Sequence, residues 1–248
     1  MRESYRVAFL SSVVMLGACE EQLAHDKQVS HEQVGQGAEP REANQQEQNV
    51  PTLTEQLKER LPDWPLALPS WTTEESQHIG AAVIEEVDQV EIQFYKTEEP
   101  MRLDDPALIS LQKTALLTIQ RFSSTEEANG QIGFQKYEVA GGRPIDLGHG
   151  ITGYQDAGAG SLFTSWNEGR WAIVTRTMID AAEDGEQLAR ETVVFLEEHT
   201  LPIPHEHGSL HLDVHEKGSL AKWQKENLVY GLTAPTNEGL LEWAVLFE

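Results

Sequence analysis

Residues 160–174 read GSLFTSWNEGRWAIV and residues 218–232 read GSLAKWQKENLVYGL. Laid side by side, the two match with a one-residue offset before the tryptophan. Each reads as a strand ending near Trp166 or Trp223, a polar turn (Asn167-Glu168-Gly169 or Lys225-Glu226-Asn227), and a returning strand of residues suited to a pleated surface. Each segment is therefore expected to be a hairpin. Working outward, a further strand candidate precedes each one, Ile151 to Gln155 and Ser209 to His215. A helix candidate follows each, Asp184 to Glu198 and Thr236 to Phe247. Ala189, Val193 and Leu196 share one face of the first helix, and Leu240, Trp243, Ala244 and Phe247 share one face of the second. Asp184 and Thr236 are the expected N-caps. The run Thr192-Val193-Val194-Phe195 would also suit a strand, and Gly239 weakens the last helix.

A fainter copy of this order lies upstream: strands near Ile79 to Glu86, Val90 to Tyr95 and Ala115 to Phe122, then a helix capped at Ser124 with Glu127 three residues on. Three strands and a helix would thus occur three times, over approximately 78–134, 149–199 and 208–248. The expected fold class is α+β, with antiparallel strands in repeated β-β-β-α units and helices covering one face. All six tryptophans fall in this body, 51–248. It opens with a short helix from Thr52, where Glu55 completes a capping box, Leu53, Leu57 and Leu61 share a face, and Pro62 ends the run. The Pro- and Trp-punctuated stretch Leu61 to Trp71 reads as a strap packing its indoles on the core. In Trp166, Gly169 and the strand and helix that follow, the repeat resembles an uncharacterised domain of lipoproteins and anti-sigma ectodomains from Gram-positive bacteria. Asn227 stands in place of the glycine in the second copy, and the resemblance implies no activity.

The amino terminus reads as an address. Arg2 and Arg6 precede the apolar stretch Val7 to Gly17, the length of a signal-peptide core and short of the ~18–20 residues a spanning helix needs. Leu16-Gly17-Ala18-Cys19 follows, and here the sequence resembles the lipobox of bacterial lipoproteins; Cys19 is the single cysteine of the chain. The resemblance implies that residues 1–19 are removed up to Cys19, which is then acylated, palmitate being a typical chain. The mature protein would sit on the extracytoplasmic face of the cell membrane, since two or three acyl chains, at ~0.8 kcal/mol per buried methylene, hold stably. Residues 20–50 carry no aromatic residue and are crowded with Gln and Glu, which predicts a disordered tether. A flexible coil of this length spans on the order of 30 Å.

Composition excludes some partners. With 41 acidic against 18 basic residues and a formal charge of -23, the chain lacks the clustered cations that bind nucleic acid, and its body should be repelled by anionic lipid. A single cysteine can form no disulfide within the chain. The expected partners are the membrane, through Cys19, and an unidentified envelope protein or small ligand.

Chemistry concentrates in one place. Five of the nine histidines fall between His199 and His215. On a strand from Ser209, period two places His211, Asp213 and His215 on one face and Leu210, Leu212 and Val214 on the other. His205 and His207, with Glu206, could join them from the preceding loop, and imidazole with carboxylate suits zinc. Against this, a strand with an apolar inner face carries polar residues outside as a matter of course, and no His-Glu-x-x-His spacing is present. Ser161 lacks the second glycine of a nucleophile elbow, His149 reads as a turn residue, and the glycines of 141–160 fit neither a phosphate loop nor a dinucleotide fingerprint. Acidic pairs such as Asp104-Asp105 and Glu197-Glu198 are expected by number alone in so acidic a chain. With no catalytic motif or required cofactor legible, the sequence favours a non-enzymatic binding or interaction module over its rival, a zinc-binding or metal-dependent envelope protein.

Overall fold

The computed structural model describes residues 50–247; the leader 1–19 with Cys19, and the tether as far as residue 49, lie outside the described residues. Helix α1 (Leu53–Arg60) forms as its caps require: the Thr52 hydroxyl accepts from the Glu55 backbone N–H, the Glu55 carboxylate accepts from the Thr52 N–H, and Leu53 and Leu57 are buried. The strap after Pro62 packs as expected. Trp64 lies under the Arg121 guanidinium at 4.2 Å and donates its indole N–H to Glu85 at 3.1 Å, while the Tyr230 hydroxyl donates to the Pro65 carbonyl. A second short helix, α2 (Thr73–Gln77), leads into the sheet.

Alternation builds the strands. In β1 (Ile79–Glu85), β2 (Gln89–Lys96) and β3 (Lys113–Arg121), Ala81, Ile92, Phe94, Leu117 and Ile119 are buried on one face, while Gln89, Glu91 and Gln93 of β2 and Thr114, Thr118 and Gln120 of β3 take the other. The chain then makes α3 (Thr125–Gly130) and α4 (Tyr137–Ala140) and runs through β4 (Arg143–Gly148), β5 (Ile151–Gly158), β6 (Ser161–Glu168) and β7 (Trp171–Met178). Helix α5 (Ala182–Glu198) carries it to β8 (Gly208–Asp213), β9 (Leu220–Lys225), β10 (Leu228–Thr233) and α6 (Asn237–Ala244).

The ten strands of the described residues join one sheet in the order β1-β2-β3-β10-β9-β8-β7-β6-β5-β4. Among them the parallel junction is β7–β8, because α5 carries the chain back to the end at which β7 began. The sheet is thus mainly antiparallel, and the α+β class stands. Both hairpins of the opening comparison are present. Glu168 pairs with Trp171 and Lys225 with Leu228, and each two-residue loop begins in the left-handed region, at Gly169 (φ 54°) and Glu226 (φ 53°).

Repeated β-β-β-α units are not evident. The middle segment has a fourth strand, β4, and its helix has 17 residues against six in α3 and eight in α6. The helices also do not all cover one face. Leu228, Tyr230 and Leu232 of β10 belong to the main core with α1, α5 and α6, whereas Val229, pointing the other way, packs with Ala128 and Ile132 of the α3 segment. Helix α5 begins three residues earlier than an Asp184 cap would place it, after Ala181, which makes no side-chain cap. Asp184 instead contributes its charge to the first turn. Thr192 stays helical, its hydroxyl donating to the Leu188 carbonyl at 2.7 Å. Gly185 lets this helix press on β7: a Cβ there would lie 2.5 Å from Thr177, and the Gly185 carbonyl accepts from the Thr175 hydroxyl. Thr236 does cap α6, which ends at Ala244, yet Phe247 remains buried and its backbone bridges to Pro69.

Candidate functional site

The histidine segment is spread along its strand and loop. His205 is exposed, its backbone N–H donating to the Gln224 carbonyl. The His207 ring stacks on Phe134 at 3.9 Å with Nδ1 3.0 Å from Asn129 Oδ1, and His199 stacks on Phe195 at the end of α5. His211 and Asp213 share one face of β8, opposite the buried Leu210 and Leu212, as period two requires. His215 lies beyond the strand, which ends at Asp213. Burial pushes the His211 imidazole below its usual range, with Asp213 working against that shift and Arg176 with it. Asp213 is held by Arg176, whose Nη1 donates to its Oδ2, and by the His215 backbone N–H on Oδ1. Among the described residues no group of three or more His, Cys, Asp or Glu side chains converges closely enough to hold a metal ion.

Two concave regions combine apolar walls with ionisable groups. The first, of about 360 Å³, lies between the β6–β7 turn, the end of α5 and the stretch 199–204, and is lined by Glu168, Trp171, Leu196, Leu201 and Pro202 among others. The Glu168 carboxylate accepts the indole N–H of the fully buried Trp166 at 2.7 Å. Burial raises its pKa, the Trp166 bond opposes that rise, and the Glu197 charge adds to it. Glu197 in turn lies 3.6 Å from His149. Because the folded-state pKa is raised, ionising Glu168 costs stability that is absent at low pH and fully felt once pH has risen through the folded pKa. Glu168→Gln keeps an acceptor for Trp166, so its melting temperature should exceed that of the parent at pH 7 and converge with it near pH 4. A thermal melt series across that range checks this, and a constant offset at every pH would show that Glu168 titrates as an ordinary surface carboxyl.

The second region is a groove of about 740 Å³ between α2, the start of β1 and α6. Its walls are half-buried: Trp71, Ile79, Trp243 and Leu246. The two indoles stand nearly perpendicular (86°, centroids 5.9 Å apart), and both rest on the fully buried Phe94, Trp71 edge-on at 5.6 Å and Trp243 stacked at 4.7 Å. The Trp71 indole N–H is buried and has no hydrogen-bond partner among the described residues. An exposed polar rim surrounds them, with Glu74, Glu75 and Glu242 against Lys96 and His78. Glu75 is occupied by the α2 capping box with Thr72, whose bonds hold its carboxyl below the usual range.

The sequence reading missed this groove as a site. Its two tryptophans stand 172 positions apart and were expected only as core; the structure makes them core on one side and groove wall on the other. Comparisons of the chain with protein-family models, with curated proteins and with solved structures found no match.

Proposed function

We propose that the protein is a lipid-anchored, extracytoplasmic binding module of the bacterial cell envelope, held by acyl chains on Cys19, spaced from the lipid by residues 20–50, and receiving its ligand in the groove between Trp71 and Trp243. The anchor rests on sequence alone: the single cysteine follows Leu16-Gly17-Ala18 at the end of an apolar leader core preceded by Arg2 and Arg6. The binding role rests on the groove. Aromatic walls, a polar rim and a volume of about 740 Å³ are the attributes of small-ligand sites.

Cys19→Ala should abolish both leader processing and membrane association. In the host, the parent protein should sediment with membranes and incorporate a clickable palmitate analogue, while the variant should do neither. A variant that still sedimented with membranes at high salt would remove the anchor from this reading.

A further inference from the structure

The geometry points to an organic ammonium cation, of the kind a choline-type amino alcohol carries, as the ligand of the Trp71–Trp243 groove; this rests on the binding reading above and gives it a chemistry. Two features of the groove converge on that class.

The first is the pair of perpendicular indoles. Two walls meeting at 86° form a corner into which a compact, methylated cation can place its positive surface against more than one ring, and tryptophan offers the strongest quadrupole for such a contact. Phe94 fixes that corner from behind, being fully buried and packed on both rings. Little side-chain freedom is then lost on binding.

Charge is the second feature. Glu74 and Glu242 stand exposed on the rim and make no ion pair among the described residues. Together with the cap-bound Glu75 they outnumber Lys96 and His78, the basic side chains of the rim. The rim therefore attracts a cation and repels a carboxylate or phosphate. A neutral apolar ligand would fill the walls equally well and gain nothing from the rim.

The test uses the full chain in a neutral maltoside detergent, with tryptophan fluorescence and ligand-observed NMR as readouts. Three probes are titrated: choline, its neutral isostere 3,3-dimethylbutan-1-ol, and butylammonium, which separates a quaternary from a primary ammonium source. Choline should saturate the protein with an affinity about fivefold to thirtyfold above that of the neutral isostere, the range a cation–π contact supplies. Glu242→Gln, a change on the exposed side of α6, should weaken choline about twofold to fivefold, as loss of one rim charge predicts, and leave the isostere unaffected. Trp243→Phe, which keeps an aromatic wall in case Trp243→Ala does not fold, should also weaken choline. Butylammonium binding ahead of choline would assign the site to primary amines such as lysine side chains and overturn the choline-type ligand. Equal binding of choline and its isostere would leave a binding groove without cation recognition. No binding by any probe would remove the groove from the binding reading as well, while the Cys19→Ala result stands independently of both.

Discussion

Trp223→Ala should cost the fold about 3–5 kcal/mol, the range for truncating a large aromatic in a packed core. Trp223 is fully buried on β9. Its ring stacks on Tyr230 at 5.3 Å and lies 5.1 Å from Phe247 and 6.5 Å from Trp171. It therefore joins the last hairpin, the chain end and the middle hairpin in one cluster. The neighbourhood has no slack with which to close the hole. Gly208, its partner across β8–β9, already lies so close to Trp171 that an added Cβ would sit 2.7 Å from that ring. In urea the midpoint should fall with the slope unchanged; a loss below about 1 kcal/mol would mean that the cluster collapses into the space. A gentler pair of changes separates packing from hydrogen bonding. The Trp223 indole N–H has no partner among the described residues, whereas that of Trp171 donates to the Pro202 carbonyl at 3.0 Å. Trp223→Phe removes an unsatisfied donor and Trp171→Phe strands an acceptor, so the second should be the more destabilising.

That cluster also shows how far the sequence could be read. The two hairpins were legible because period-two alternation and the turn residues are local signals, carried within about fifteen positions. The same locality recovered the capped starts of α1 and α6. What the sequence left hidden is long-range. The junction of β3 with β10 pairs residues more than a hundred positions apart, from Arg121 with Leu228 to Leu116 with Thr233, and so decides that there is one sheet. Strand β4 was missed because Arg143-Pro144-Ile145-Asp146 alternates weakly and edge strands need no second apolar face. The histidine segment shows the same limit. Its alternation correctly placed His211 and Asp213 on one face, but the partner of Asp213 is Arg176, 37 positions earlier on the adjacent strand. The groove is the extreme case, since Trp71 and Trp243, in contact in the fold, stand 172 positions apart in the chain.

Arg176→Ala should be the most damaging single change to a surface-reaching side chain, by about 3 kcal/mol, the lower end of the range for stranding a buried charge. The asymmetry of the pair sets this value. The Asp213 side chain is 2% exposed, whereas that of Arg176 is 36% exposed and can fall back on water. Asp213 is also a hub. Its backbone N–H donates to the Ser219 hydroxyl, its carbonyl accepts from the Asn237 amide, and the Ser219 hydroxyl donates to Asn237 Oδ1, so β7, β8, the residue leading into β9 and the start of α6 share one buried network. Asp213→Ala removes the charge together with its need for a partner and should therefore cost less than Arg176→Ala, and the double variant less than the sum of the two. The pH dependence separates this account from simple loss of packing. Burial alone would raise the Asp213 pKa, but the Arg176 hydrogen bond, the His215 N–H and the neighbouring positive charges hold it below the usual range. A depressed carboxyl contributes stability above about pH 4, its unfolded value, and loses it as pH falls through the folded pKa. In Arg176→Ala the burial remains and the main opposing partner is gone, so the Asp213 pKa should rise and protonation should relieve the stranded charge. The stability gap between parent and variant should then be widest near pH 7 and narrow toward pH 4, measured as urea midpoints at each pH. A gap that stays constant over that range would show that the guanidinium contributes by packing against Ser161, whose hydroxyl it also bonds, and not by pairing with Asp213.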